Sequence, residues 1–311
     1  MERPPVLRDA RDYQIVFLAL FLLLGFATRD WTLKPEVVGV AIATSLLTQG
    51  ALSYWRYRFH SDKQTAVPSP LQLPQAVEHP SQKRSWLAQA AYRLEGITLN
   101  WRSPLITALG LSLLLRVDHL PTMALAAFVA IASKFFLKVD GKHFFNPANI
   151  GIIAALTLTQ DAWVSPGQWG EEIWYALIFI GAGGMVLKRV GRWDTTAAFL
   201  GSYALMEACR NLYLGWTWDV WSHRLMSGSL LLFALFMVTD PRSIPNARPA
   251  RLIWALSIAA LTFILRNYAY LPTAVFWALF LLSPLTIMLD ALWKSERFTW
   301  KHIAAQIPVG S

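Results

Sequence analysis

The apolar residues of this chain fall into ten blocks, at about 14–29, 35–55, 103–116, 120–137, 147–160, 172–188, 194–213, 222–239, 250–266 and 271–290. Several approach the roughly 20 residues that an α-helix needs to cross a bilayer. No other pattern constrains the fold as strongly. Lipid offers no water to satisfy a backbone, so segments of this kind span it as helices. Hydrophobic residues make up 55% of the 311 residues and charged ones 15%. The expected class is therefore an all-α polytopic membrane protein with about ten transmembrane helices. The blocks at 103–116 and 147–160 are short, which leaves open that they re-enter rather than cross.

The basic residues supply the orientation. With the N-terminus inside, the inside loops hold 21 of the 28 Lys and Arg. An excess at every inside loop predicts a bacterial-type plasma (inner) membrane protein with both termini cytoplasmic. It also accounts for the formal charge of +9 without a nucleic-acid partner. The only cysteine, Cys209, excludes an internal disulfide and an iron–sulfur cluster held by several Cys of this chain. No His or Cys pair stands at metal spacing, so no metal site is expected. The first block has no clear cleavage site and reads as a retained helix.

Four parts follow: helices one and two over 1–56, a cytoplasmic loop over 57–102, helices three to ten over 103–293, and a cytoplasmic tail over 294–311. The loop is Pro-, Gln- and Ser-rich from Thr65 to Ser81. In its next stretch, Trp86, Leu87, Ala90, Ala91 and Leu94 share one helical face, as in a helix lying on lipid or on a partner subunit. A plain tether is the alternative.

Two polar elements interrupt the apolar sequence. The first runs from Lys138 to Gly151 and contains Lys142, His143, Asn146, Pro147, Asn149 and Gly151. Asn146 as N-cap and Pro147 at the first helical position start a helix whose free N–H groups can face a ligand. The second runs from Phe236 to Asn246 and contains Thr239, Asp240 and Pro241. Both lie on the inside, where together they could hold a phosphate or an ion; two independent caps are the alternative. Gly181 to Gly184 and Ser227 to Ser229 read as close helix packing. Glu207 is the sharpest intramembrane charge and the candidate for an ion pathway. A structural clip with Arg210, three residues on, competes with that reading. Lys134 can snorkel to the inner surface and needs no role.

Residues 142–151, the Gly-rich sixth block running into Gly191-Arg192-Trp193, and Phe236-Met237-Val238-Thr239-Asp240-Pro241 together resemble the NqrB/RnfD family. These are the large membrane subunits of sodium-pumping NADH:quinone reductases and of Rnf complexes. The resemblance implies ten helices in two inverted five-helix halves, like urea transporters. It also implies a component of an oxidoreductase complex rather than an enzyme alone, with other redox or membrane subunits as partners. Members carry flavin, one FMN usually esterified to a threonine after the fifth helix. This chain has no threonine between Thr159 and Thr195. Covalent FMN is therefore not expected, and any FMN or riboflavin would be bound non-covalently near the polar helix starts. The missing threonine keeps a second reading open, a small-solute channel or transporter on the same scaffold. A docking subunit acting through 57–102 is the third.

Overall fold

Helix α1 (Ala10–Thr28) is apolar from Ile15 to Ala27, and helix α2 (Pro35–His60) is apolar with interspersed hydroxyls up to Trp55, before the basic end Arg56 to His60. The computed structural model describes residues 9–28, 34–60, 101–165 and 173–298. The surface helix expected at 84–95 and most of the 57–102 loop lie outside these residues, as does the end of the tail. Within them follow α3 (Arg102–Leu114), β1 (Leu115–Val117), α4 (Leu120–Phe136), β2 (Lys138–Val139), β3 (Lys142–His143), α5 (Pro147–Leu158) and β4 (Ala162–Val164). The rest comprises α6 (Ile173–Val190), α7 (Trp193–Tyr213), α8 (Trp218–Leu225), α9 (Gly228–Leu232) with a π-helical turn at Phe233–Met237, α10 (Arg248–Asn267), α11 (Ala274–Leu282) and α12 (Leu285–Leu292).

Each apolar block of the sequence thus carries helix, and the chain is an all-α, multi-pass membrane protein. Among the described residues, three helices are long and apolar enough to cross a membrane: Ala10–Ala27, Pro35–Arg56 and Arg248–Asn267. The number rises to five if each of two bent pairs counts as one span. The bends are a departure from the sequence reading, which took 222–239 and 271–290 as continuous. The first pair, α8 with Gly228–Met237, turns by 51° at Met226–Ser227; the second, α11 with α12, turns by 47° at Ser283–Pro284. Pro284 has no N–H to continue the helical ladder, which explains the second break. Ser227, read as a packing residue, instead precedes the first turn of α9 in extended conformation.

Two short antiparallel ribbons mark opposite ends of the bundle. At one end β1 pairs with β4, Arg116 opposite Trp163. There α3 ends, α4 begins and α5 ends. At the other end β2 and β3 form a hairpin, Lys138 opposite His143. Its turn residues, Asp140 (φ 50°) and Gly141 (φ 78°), are both left-handed. Two such residues make the type I′ turn that Asp-Gly favours.

Helices α4 and α5 pack face to face. Gly151 permits the approach: a Cβ there would lie 2.5 Å from the Ala126 carbonyl oxygen. In α6, Gly183 does the same toward Leu235, so the packing reading of the glycine run holds at that position. The central packing is aromatic and aliphatic, with Phe199, Phe233, Phe276 and Trp254 fully buried.

Candidate functional site

The hairpin end gathers the two polar elements. The tight β2–β3 turn sends Lys142 and His143 back toward the start of α5. Lys142 Nζ donates to Asp290 Oδ2 and to the Ile244 carbonyl, both at 2.6 Å. It therefore latches the hairpin to α12 and to the loop after the π-helical turn. Burial outweighs the Asp290 carboxylate and lowers the Lys142 ammonium from its ordinary value. His143 is buried, with Nε2 3.9 Å from Asp240 Oδ2. Asp240 Oδ1 accepts the Arg242 N–H at 3.2 Å. Burial raises the Asp240 pKa, but His143, the Arg242 N–H and the charge of Lys134 win, and it lies below the usual carboxylate range.

Asn146 joins the two elements. Its Oδ1 accepts the Asn149 N–H at 3.0 Å, capping α5. Its Nδ2 donates to the Met237 carbonyl at 3.1 Å. That carbonyl ends the π-helical turn, whose i→i+5 spacing upsets the normal pairing of backbone groups. Thr239 turns its hydroxyl back onto the Leu235 carbonyl at 2.8 Å. The cap and the Thr-Asp-Pro segment are thus one bonded unit, not two independent helix starts.

Between them lies a cavity of about 100 Å³. His143, Asn146, Pro147, Thr239, Asp240 and Pro241 all line it. The other sequence candidates do not: Lys142 is engaged with Asp290, Gly151 faces Ala126, and Asn149 Nδ2 donates to the Phe276 carbonyl of α11. Asn149 Oδ1 is buried there without a partner. Sequence reasoning missed Arg11, Gln14, Ser103, Thr107, Lys134 and Arg242, which complete the polar lining. Lys134 was legible as a charge inside a helix, but it does not snorkel outward. Its Nζ donates inward to Ser103 Oγ at 3.1 Å and Thr107 Oγ1 at 3.0 Å.

The cavity is smaller than the roughly 150 Å³ that holds one benzene, and far below the 300–1,000 Å³ usual for drug-sized ligands. Most of its wall is apolar, with Leu18, Leu113, Leu114, Leu235 and Phe236 among the lining residues.

Glu207 is 2% exposed and lies in a closed triad. Arg224 donates to Oε2 at 2.9 Å, Asn267 Nδ2 donates to Oε1 at 2.8 Å, and Arg224 also donates to Asn267 Oδ1 at 2.8 Å. The clip expected with Arg210 is therefore made by Arg224 instead. Arg210 lies over the Trp216 ring, 4.8 Å from its centroid. The turn between Tyr213 and Trp218 folds α8 back against α7, where Arg224 makes a bond that Arg210 does not.

Comparison with known proteins follows the same lines. Residues 157–299 match the model of the NQR2, RnfD, RnfE family. That stretch includes the Asp240 element but not Asn146. One subunit of the ion-translocating oxidoreductase complex of Stutzerimonas stutzeri is 29% identical over 160 residues, 51% of this chain and 42% of the relative. Its namesake from Vibrio atlanticus is 31% identical over 147 residues, 46% of this chain and 41% of the relative. One subunit of the proton-translocating ferredoxin:NAD(+) oxidoreductase complex of Clostridium ljungdahlii is 25% identical over 260 residues, 66% of this chain and 77% of the relative. The chain thus spans less than half the length of the first two. These matches bear out the resemblance carried by the Phe-x-x-x-Asp-Pro element and its surroundings: over 157–299, a little less than half of its length, the chain is similar to the NQR2, RnfD, RnfE family.

Proposed function

We propose that the chain is a membrane subunit of a redox-driven electron-transport complex that couples electron flow to ion movement. The observation that carries this reading is the family match over 157–299, together with relatives named as subunits of ion- or proton-translocating oxidoreductase complexes. Its partners are then other redox or membrane subunits, and nicotinamide or ferredoxin chemistry belongs to them. The finer architecture goes with it: ten helices in two inverted halves, urea-transporter-like, in an inner membrane with both termini cytoplasmic. Broken helices support such a scaffold, since spans interrupted at mid-depth are how transporter-like folds expose backbone groups. FMN or riboflavin, where this subunit takes one, is bound non-covalently near the polar helix starts. When bound it would supply one-electron steps.

Within the subunit, Asn146 and Asp240 hold the two polar elements together, and Lys142 fixes the hairpin over them. An ion route through Glu207 would have to open its bonds to Arg224 and Asn267. Ion transport unchanged by Glu207→Gln removes the residue from that route. The reading as a whole is tested by tagging the chain in its native membranes. Co-elution with flavin- or iron–sulfur-bearing chains is expected; a chain that elutes with none of them contradicts it.

One observation favours the second reading, a small-solute channel. A cavity of about 100 Å³ with polar groups at Lys134, Ser103, Thr107 and Asp240 has the size for a small solute. Solute flux into proteoliposomes, lost in Asn146→Ala, would support it.

A further inference from the structure

We propose that the cavity beside Lys134 is a binding site for a small oxyanion of the phosphate class. Lys134 is 8% exposed, and its interactions are the two bonds to the Ser103 and Thr107 hydroxyls. Thr107 spends its own hydrogen on the Ser103 carbonyl, at 3.0 Å. An ammonium has three donors, so one N–H of Lys134 remains for the cavity that the residue lines. No carboxylate lies within ion-pairing distance of it among the described residues. A buried cation bonded directly only to hydroxyls, with the Asp240 carboxylate acting on it from beyond ion-pairing distance, is costly, and an anion in the cavity would relieve it.

The cations of the wall outnumber its one carboxylate, Asp240. Arg242 is exposed at the rim and adds a second cation. The start of α5 adds its dipole. Pro147 has no N–H, and the N–H groups of Asn149 and Ile150 are taken by Asn146, at 3.0 and 3.1 Å. That leaves the N–H of Ala148, itself a lining residue, at the positive end of the helix. The acidic group of the wall, Asp240, is already turned to His143 and to the Arg242 N–H. A volume of about 100 Å³ admits a phosphate or sulfate. The anion can be free in the cytoplasm or be the headgroup of an anionic lipid.

Isothermal titration of the detergent-solubilised full chain with inorganic phosphate tests this. Saturable binding of one phosphate per chain is expected. Binding should weaken by about tenfold in Lys134→Met and about threefold in Arg242→Gln, the usual range for losing a charge-assisted bond and a rim charge. Arg242 is exposed, so its variant will fold even if Lys134→Met does not. Repeating the titration in phosphatidylglycerol nanodiscs separates the sources. Undiminished phosphate binding there assigns a free anion, and competition by the lipid assigns a headgroup. Absence of saturable phosphate binding to the unaltered chain overturns the proposal, as does phosphate affinity unchanged in both variants.

Discussion

Two buried charges, Glu207 and Lys134, meet the same physical problem and solve it differently. Glu207 has two donors on its two oxygens, and those donors are bonded to each other. The group is closed, and nothing in it asks for a ligand. Lys134 has two hydroxyls, a spare N–H and a cavity. The closed triad ties α7, α8 and α10 together, whereas the open group sits where the two polar elements meet. Burial alone does not mark function in an apolar protein. Incomplete satisfaction beside available space is the more telling sign.

The largest expected effect tests the closed side. Glu207→Ala strands Arg224 and Asn267 and should cost about 3 kcal/mol, seen as a fall in the unfolding temperature of the solubilised protein. Lys134→Met removes a cation that has no carboxylate partner and should cost less than about 1 kcal/mol, or stabilise. Equal losses in the two variants would break the comparison. Next in size is Gly151→Ala, whose methyl meets the Ala126 carbonyl at 2.5 Å. Overpacking of this kind costs about 1–3 kcal/mol and pushes α5 away from α4, so phosphate binding should fall with stability.

Asn146→Ala removes the α5 cap and the bond to Met237, for about 1–2 kcal/mol in the same melt. It should loosen the open site while leaving the closed triad intact. The smallest effect lies at the β1–β4 end, where Asp161 accepts from Thr122 at 2.8 Å and contacts His119 at 2.9 Å. The Thr122 hydroxyl, followed by His119 and against some burial, lowers the Asp161 pKa from 3.8 to about 2. A carboxyl with a depressed folded pKa stabilises above the unfolded value and loses that stabilisation as pH falls through the folded one. Stability should therefore decline between about pH 4 and pH 2, and the decline should be shallower in Asp161→Asn.

What the sequence made legible was local. Asp140-Gly141 announces its turn, Asn146-Pro147 its cap, and the apolar blocks their helices, because neighbours in the chain settle those features. Pairings across the fold were not legible. Arg210 stands three residues from Glu207, and nothing in the order of residues says that Arg224 returns to replace it. Ser103 and Thr107 are ordinary hydroxyls until α3 packs where Lys134 can reach them. The break at Ser283–Pro284 did have a signal, the proline, which a block read only for hydropathy passes over. The cavity is the least legible feature, since its volume depends on how the side chains of several helices fill space.

The most direct measurement of the functional reading is the visible spectrum of the tagged chain purified with its partners from native membranes, before and after dithionite. A chromophore carried by co-purifying subunits, and bleached on reduction, is the expected result. A colourless chain that elutes alone and passes small solutes into proteoliposomes would contradict it.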